Sequence, residues 1–442
     1  MPLFGRKRAE EPPPRPVGQR PPLPPPPEPD RGALRSMEAH RDYLLSCVEE
    51  LPPFRQQLLD ALDLTLCEEI ISTIDLPRFE NSAMDGYAVR AADVAGAEQD
   101  SPISLPVVGE IAAGAEAPHR LSPGTAMKVM TGAPVPEDAD AIVPYENTDR
   151  GVNDVRIYAP SDPGRHIRRV GEDITAGQQL YRAGQLLGPR DIGVLAGIGL
   201  AKVLVRPRPR VVVISTGSEL VEPGLALSNG QQIFDSNSYL LAAAAKAAGA
   251  QVFHVGQVGD DAKLLKETIS DALIRADLIL TSGGISQGDY DIVKAVMPEL
   301  GECDFVQVAM QPGKPQGFGL IGDDRIPMIM VPGNPVSSFV SFEAFVRPVI
   351  RKLMGAEPYA RVALKGEAAH AMTSIPGRRQ LARGVVTFGP SGQRRVELAG
   401  GHGSHLLGGL ARANALVILP EDTEFVAAGE DLDVWLLDGA YG

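Results

Sequence analysis

Cysteine is scarce in this chain. Cys47, Cys67 and Cys303 are the three, they lie far apart, and none forms a CxxC pair. That spacing indicates neither a disulfide framework nor a zinc site. Aromatic residues make up 5% of the chain and tryptophan occurs once. No uninterrupted apolar run approaches the ~18 residues that a transmembrane helix needs, so none is expected. The opening "MPLFGRKRAEE" has basic residues with no apolar stretch behind them, which argues against a secretory signal and makes the cytoplasm the expected location. Positive charge is also in deficit, with 42 Lys and Arg against 56 Asp and Glu and a net charge of −14. Nucleic acid and anionic membranes require a basic surface, so neither is expected as a partner. An anionic small molecule stays compatible where Arg, Lys and backbone N–H groups gather locally.

What the chain does have is length and punctuation. At 442 residues it exceeds one ordinary core, and several domains are expected. The first 30 residues hold 12 of the 39 prolines, so residues 1–36 read as a disordered, partly polyproline extension. Its "PPLPPPPEP" fits what SH3-like grooves accept, but a plain tether is the expected role. "MEAHRDYLLSCVEELPP" places Leu44, Leu45, Val48 and Leu51 at helical spacing, with Pro52 as the stop, and "PFRQQLLDALDLTLCEEI" is expected to be a second helix. Residues 101–150 are short apolar runs cut by Gly and Pro, the texture of a small β insert. One helical piece is expected between about 165 and 207.

From Arg210 the pattern becomes strand and helix in alternation. "RVVVIST", "QVFHVGQV", "DLILTSGG" and "PMIMVPGNP" are apolar runs closing on Gly or Pro, with helical stretches between them. That order predicts a parallel sheet covered on both faces. "SSFVSFEAFVRPVIRKLMG" is a further long helix. After about residue 360 short strands such as "RGVVTF", "RRVELAG", "ALVILP" and "DLDVWLL" predict a C-terminal β-barrel or sandwich.

Ligands of open α/β sheets bind outside the carboxyl ends of the strands. Those ends carry "STGSEL", "VGDD", "TSGGISQGDYD" and "VPGNPVSS", which supply Glu219, Asp260, Asp261, Asp289 and Asp291 beside glycines. Glycine turns beside carboxylates suit a metal-bridged phosphate. One such loop has an ordinary explanation as a helix N-cap; four together favour a site. "QPGKPQGFG" reads as a rigid loop presenting Lys314 to an oxyanion. Arg378, Arg379 and Arg383 form a basic cluster, and "GGHGSHLLGG" offers donors around Ser404. His402 and His405 have no further Cys or His nearby, so oxyanion contacts are preferred to metal ligation there. "MTGAP" with Thr131 and "RRVGED" are weak signals singly. In "ENSAMDGYAVR" the Asp-Gly pair reads as a packed turn that aims Asp85.

Taken in order, "NSAMDGYAV", "MTGAP", "GED", "STGSEL", "TSGGIS", "PGKP", "PGNPVS" and "GHGSHL" resemble the molybdopterin molybdenumtransferase family, the MoeA and gephyrin E-domain proteins, from about residue 37 to the C-terminus. The resemblance implies an elongated four-domain subunit: domain I at 37–100 and 165–207, domain II at 101–164 as the β insert, domain III at 208–358 as an α/β domain similar to molybdopterin adenylyltransferase, and domain IV at 359–442 as the β-barrel. It implies a reaction in which molybdenum from molybdate enters adenylylated molybdopterin and AMP leaves, with Mg²⁺ as cofactor. It also implies a homodimer whose site joins domain II of one subunit to domains III and IV of the other, with a molybdopterin adenylyltransferase as a further partner. Catalytic roles would fall on Asp85, Asp173, Glu219, Asp260 and Asp291, of which Asp260 and Asp291 would also hold the metal. Substrate or anion contacts would fall on Thr131, Arg168, Ser282, Gly283, Gly284, Lys294, Lys314, Pro332, Pro335, Arg383 and Ser404.

Three of the four departures from the family pattern fall within residues 307–316. Gln307 and Gln311 stand where relatives often have lysine, Ser218 stands where many have aspartate, and Gln316 replaces an aromatic residue after "PGKP". Two other readings stay open on the residues alone: a molybdopterin adenylyltransferase, which leaves the other domains unexplained, and a non-catalytic molybdopterin-binding scaffold, which leaves the retained carboxylates unexplained.

Overall fold

The computed structural model describes residues 22–114, 120–285, 291–401 and 403–437. They form two compact units, one from the described parts of 1–54, 63–65 and 205–442, the other from 55–62 and 66–204. No helix among the described residues is long and apolar enough to cross a membrane.

In the first unit α1 (Met37–Ser46) precedes an alternation of β1 (Arg210–Thr216), α2 (Asn237–Ala247), β2 (Gln251–Val258), α3 (Ala262–Leu273), β3 (Leu278–Ser282) and α4 (Ile292–Leu300). Then come β4 (Gly301–Gln307), β5 (Pro315–Ile321), β6 (Ile326–Val331) and α5 (Pro335–Ser341), whose helical path continues through a π-type turn into α6 (Arg347–Leu353). The strand order is β2-β1-β3-β6-β5-β4. Its first four members are parallel, as the sequence predicts. The last two are antiparallel, because most of the expected "PGKP" loop is the strand β5, short enough after β4 to return beside it as a hairpin. Alternate strand residues feed two cores. Val211, Val213, Leu278, Leu280 and Ile329 pack with Leu44, Leu241, Phe345 and Ile350 on one face. Val212, Ile214, Ile279 and Met328 pack with Leu265, Ile269, Val293 and Met297 on the other.

An edge strand with unpaired backbone invites association, and here the chain covers its own. Residues 22–36, expected to be disordered, lie against β4. The Leu23 N–H donates to Glu302 at 2.7 Å, and Arg35 N donates to the Gln307 carbonyl at 2.9 Å while its own carbonyl accepts from Ala309 N at 2.8 Å. The Arg35 guanidinium, with 4% of its side chain exposed, pairs with Asp304 at 2.6 Å. Tyr43 Oη donates to the Pro24 carbonyl at 3.0 Å, securing the proline run to α1. A proline run has no ladder to offer, yet its carbonyls still accept, which is how it docks. The remainder of the extension lies outside the described residues.

Five strands of the same unit, Leu364–Ala368, Arg379–Phe388, Arg394–Leu398, Ala415–Leu419 and Asp431–Leu436, close into a barrel, since Arg379–Phe388 pairs with both Arg394–Leu398 and Ala415–Leu419. Val386, Val396, Val417 and Val434 fill it. The neighbouring residues Leu416 and Trp435 point the other way, into the core cluster shared with the α/β sheet.

The second unit holds a five-stranded sheet in the order Ala141–Pro144, Gly86–Val89, Ala126–Val129, Ile103–Ile111, Asp154–Ile157. The expected β insert therefore takes in Gly86–Val89, which sequence reading left outside it. This also answers the Asp-Gly pair. Gly86 opens a buried strand rather than a turn, and a Cβ there would lie 2.1 Å from the Val143 carbonyl oxygen, so glycine is required for strand approach. The helix expected at 53–70 is absent. Phe54–Gln57 is a strand, Asp63 has a positive φ of 61°, and the N–H groups of Leu58, Leu66 and Cys67 go to the distant carbonyls of Ala201, Gln185 and Leu204. Leu59 is 83% exposed, so the leucine spacing never builds a buried helical face, and long-range pairing overrides propensity. The short helix Pro189–Gly197 is where one was expected, with Asp191 accepting from the Gly188 N–H at 2.7 Å.

Removing Arg35 strands the largely buried Asp304. Arg35→Met should cost on the order of 3 kcal/mol, whereas Lys263→Gln, which breaks the exposed Lys263–Glu267 pair, should change stability by less than about 0.5 kcal/mol. Urea titration followed by the fluorescence of Trp435 measures both, and equal midpoints would refute the anchoring role.

Candidate active site

Parallel strands present their carboxyl ends on one side, and the chain order here reverses between β1 and β3, since β1 leads outward to β2 and the chain then crosses back. Such a switch point opens a crevice. A cleft of about 650 Å³ lies there, lined by Thr216, Gly217, Glu219, Asp260, Ser282, Gly283, Gly284, Asp291, Pro332 and Pro335 among others. Four strand ends named from sequence thus meet in one place. Gly283 and Gly284 have φ of 98° and 66°. A Cβ on Gly283 would lie 2.7 Å from the Thr216 carbonyl, and one on Gly284 would lie 2.6 Å from Val293 Cγ2. The Gly283 N–H is already bonded to Val331 O at 3.1 Å, so this glycine offers a ligand space rather than a donor.

The floor is a polar knot that sequence reading missed. Asp235, fully buried, accepts from Ser215 Oγ at 3.0 Å, Ser238 N at 3.0 Å and Ser238 Oγ at 2.6 Å. Ser238 has one hydroxyl proton and gives it to Asp235, so His254 Nε2, 2.7 Å away, is the donor to Ser238. Asn237 Nδ2 donates to Ser282 Oγ at 2.9 Å and to the Gly333 carbonyl at 2.6 Å. Ser282 is 2% exposed, with Ser338 Oγ 3.1 Å from its hydroxyl, and ties loops together where it lines the cleft. In sequence "FDSNS" looks like an ordinary helix start, which is why its part in the cleft was not legible.

The carboxylates have distinct surroundings. Asp260 accepts from Ser218 N at 3.2 Å and Ser218 Oγ at 2.5 Å, so Ser218 orients a carboxylate where an aspartate would repel it. Glu219 folds back over Gly217, where a Cβ would sit 2.6 Å from its Oε2. Asp291 stands 3.6 Å from Lys294 Nζ. Asp261, by contrast, caps α3 through Lys263 N at 2.8 Å and Leu264 N at 3.0 Å, and its role is structural. Asp289 and His402 lie outside the described residues.

The loops flanking the cleft are held by amides and carbonyls. Gln316 Nε2 donates to the Gly313 carbonyl at 2.6 Å and to Ser341 Oγ at 2.7 Å, which sets the half-buried Lys314 on a braced turn. Gln311 Oε1 accepts from Arg378 at 3.3 Å. Arg379 pairs with Glu38 and Glu421. Arg383 is 5% exposed, and its guanidinium donates to the carbonyls of Leu406, Gly401 and Gly403. Burial lowers its pKa. These bonds tie Arg383 to Gly401, Gly403 and Leu406. That loop meets the α/β domain: Ser404 O accepts from Val336 N at 3.1 Å, Ser404 Oγ accepts from Asn334 at 3.2 Å, and His405 lines the cleft.

Asp85, Thr131, Arg168 and Asp173 belong to the other compact unit. Asp85 Oδ1 accepts from Thr131 N at 2.7 Å and from Thr131 Oγ1 at 2.8 Å. These bonds, the backbone one first, hold its carboxyl below the ordinary value of 3.8. Arg168 and Asp173 line a shallow pocket of about 470 Å³ with Leu76, Pro77 and Glu172. Asn81–Ser82 pairs with Ile167–Arg168, which joins the two segments.

Among the described residues no three His, Cys, Asp or Glu side chains form a ready-made metal cluster. Mg²⁺ is commonly held by one or two carboxylates with substrate phosphates completing the shell, and Asp260 and Asp291 fit that donor set.

Thr131→Val should raise the Asp85 pKa toward its ordinary value, since one donor to the carboxylate is lost and the backbone N–H remains. The bond favours the fold above the ordinary carboxyl pKa, and the gain disappears as pH falls through the lowered one. Carboxyl-detected NMR titration reads the shift, and an unchanged pKa would overturn the assignment.

Comparison with known proteins agrees with the geometry. Residues 35–199 match the MoeA N-terminal region (domain I and II), residues 212–352 a probable molybdopterin binding domain, and residues 365–437 the MoeA C-terminal region (domain IV). Molybdopterin molybdenumtransferase 2 of Mycobacterium tuberculosis is 43% identical over 419 residues, covering 91% of this chain and 99% of its own. The molybdopterin molybdenumtransferase of a Nostoc species is 39% identical over 377 residues, covering 83% and 85%. The crystal structure of the molybdopterin biosynthesis MoeA protein from Pyrococcus horikoshii OT3 is similar with a TM-score of 0.74 at 30% identity, covering 91% of this chain and 100% of that one. The chain therefore belongs to the MoeA family of molybdopterin molybdenumtransferases, transferases of molybdenum cofactor biosynthesis.

Proposed function

We propose that the cleft at the β1–β3 switch point takes adenylylated molybdopterin, inserts molybdenum from molybdate at the dithiolene sulfurs, and releases AMP. The observation that carries this reading is the convergence of Glu219, Asp260 and Asp291 on a cleft whose glycine turns leave room for a phosphate. Asp260, oriented by Ser218, and Asp291, beside Lys294, would hold Mg²⁺ against the phosphates of the substrate. When bound, the metal supplies Lewis acidity to the phosphoryl oxygens. Lys314 on its braced turn offsets anionic charge on the ligand, and Lys294 limits the repulsion between Asp291 and an incoming oxyanion.

Asp85, Thr131, Arg168 and Asp173 complete the reading as a surface offered to the cleft of a second subunit, in a homodimer with each site shared. A molybdopterin adenylyltransferase is the partner that would supply the adenylylated substrate, and the cytoplasm is where both would work. Gln307 and Gln311 leave the oxyanion side with less positive charge than relatives often have, which favours release of an anionic product over tight retention.

The test is AMP release from adenylylated molybdopterin with and without molybdate. Molybdate should stimulate it, and Asp291→Asn should lower it about 100-fold, the scale of losing a group that stabilises charge in the transition state. AMP transfer from ATP to metal-free pterin would instead make the protein an adenylyltransferase. Binding with no turnover would make it a scaffold.

A further inference from the structure

The polar inventory of the cleft leaves one feature unused. Among its described lining residues two carry aromatic rings, Phe234 and His405. Phe234 is 46% exposed and its neighbour Ile233 is 55% exposed. Scattered surface hydrophobes need no explanation, but this pair lies at the rim of a site built from carboxylates, serines and glycines. Its backbone is also fixed on both sides. Ile233–Phe234 pairs in parallel with Leu220–Val221, with Val221 opposite Phe234. Ile233 N donates to the Glu219 carbonyl at 2.9 Å, and Asp235 N donates to the Val221 carbonyl at 2.9 Å. The next side chain, Asp235, is locked into the buried serine knot. A large apolar ring on a backbone fixed in this way, at the mouth of a polar cleft, is placed to receive a flat ligand surface.

We propose that Phe234 is the platform on which the adenine ring of the bound nucleotide stacks, so that this side chain sets the preference for an adenylylated over a merely phosphorylated pterin. The proposal rests on reading the cleft as a nucleotide site. Position in the sheet assigns adenine, and not the pterin, to this end. Phe234 follows β1 on a strand bonded to Glu219, and a neutral base tolerates a neighbouring carboxylate that a dithiolene or molybdate would not. Lys314 precedes β5, three strands away in the order β1-β3-β6-β5, which at the usual interstrand spacing is about 14 Å. The anionic, metal-accepting end of the substrate belongs near that lysine, leaving the adenosine to reach Phe234.

The full chain is titrated calorimetrically with AMP and, separately, with ribose 5-phosphate, which keeps the phosphate and sugar but has no base. The wild type should bind AMP more tightly. Phe234→Ala should weaken AMP binding about 10-fold, within the range for one lost base–aromatic stack, and leave ribose 5-phosphate unchanged. Phe234→Tyr should restore AMP affinity, because a phenol ring stacks equally well. In turnover, Phe234→Ala should raise KM for the adenylylated substrate more than it lowers kcat. Unchanged AMP affinity in Phe234→Ala overturns the platform, as does equal loss of both ligands, which would mark a structural role. A loss confined to metal-free molybdopterin would place the pterin there instead and also overturns it. If AMP affinity falls as expected but no molybdate-dependent AMP release occurs, the platform stands and the reaction proposed above falls.

Discussion

A mostly parallel sheet buried on both faces is the constraint on which the rest of this molecule depends. Val211 and Val213 are claimed by one core and Val212 and Ile214 by the other, so the strands have no free face on which to place a functional group. Polar side chains can emerge only where the strands end. With β1 leading to β2 on one side and β3 lying on the other, the ends part and leave a crevice. The site is therefore a consequence of how the core is filled, and its membership is decided by which residues happen to follow each strand.

Filling the crevice with charge creates a second requirement, which the buried serine and asparagine network meets. Asp235, Ser215, Ser238, Asn237 and Ser282 connect the exits of β1, β3 and β6 through short hydrogen bonds. Asn237 Oδ1 is buried without a partner among the described residues, but the donors and carboxylate oxygens named are paired, and leaving those groups unpaired would be costly. Above this floor Glu219 and Asp260 stay exposed, while the Asp291 side chain is 12% exposed. The barrel contributes in a comparable way. Arg383 holds the carbonyls of Gly401, Gly403 and Leu406, and Ser404 between them is seated against Asn334 and the first turn of α5.

Function then follows from division of labour between two compact units. One holds the cleft with Glu219, Asp260, Asp291 and Phe234 in its lining. The other displays Asp85 held by Thr131, with Arg168 and Asp173 on an adjoining segment. The membership of the chain in the MoeA family accounts for both halves being present, and the two bonds from Thr131 fix Asp85 at its exposed position.

The sequence by itself determined the alternation of strand and helix after Arg210, the C-terminal strands, the family, and the loops at which chemistry would sit. Those are local signals: β-branched runs, glycine at strand exits, and collinear motifs. Tertiary structure alone decided the rest. The antiparallel β4–β5 pair and the absent helix at 53–70 depend on backbone partners far away in the chain, which local leucine spacing cannot reveal. Residues 22–36 looked unable to fold because prolines lack donors, but Tyr43 and Arg35 supply donors to the carbonyls of Pro24 and Pro27, and the edge strand accepts from Leu23 and Arg35. Gly86 read as a turn and proved to be a strand contact, because what excludes a side chain there is the Val143 carbonyl of another strand. Whether a carboxylate caps a helix, as Asp261 does, or lines the cleft, as Asp260 does, depends on a single residue of position along a loop, and only the packed backbone sets that direction.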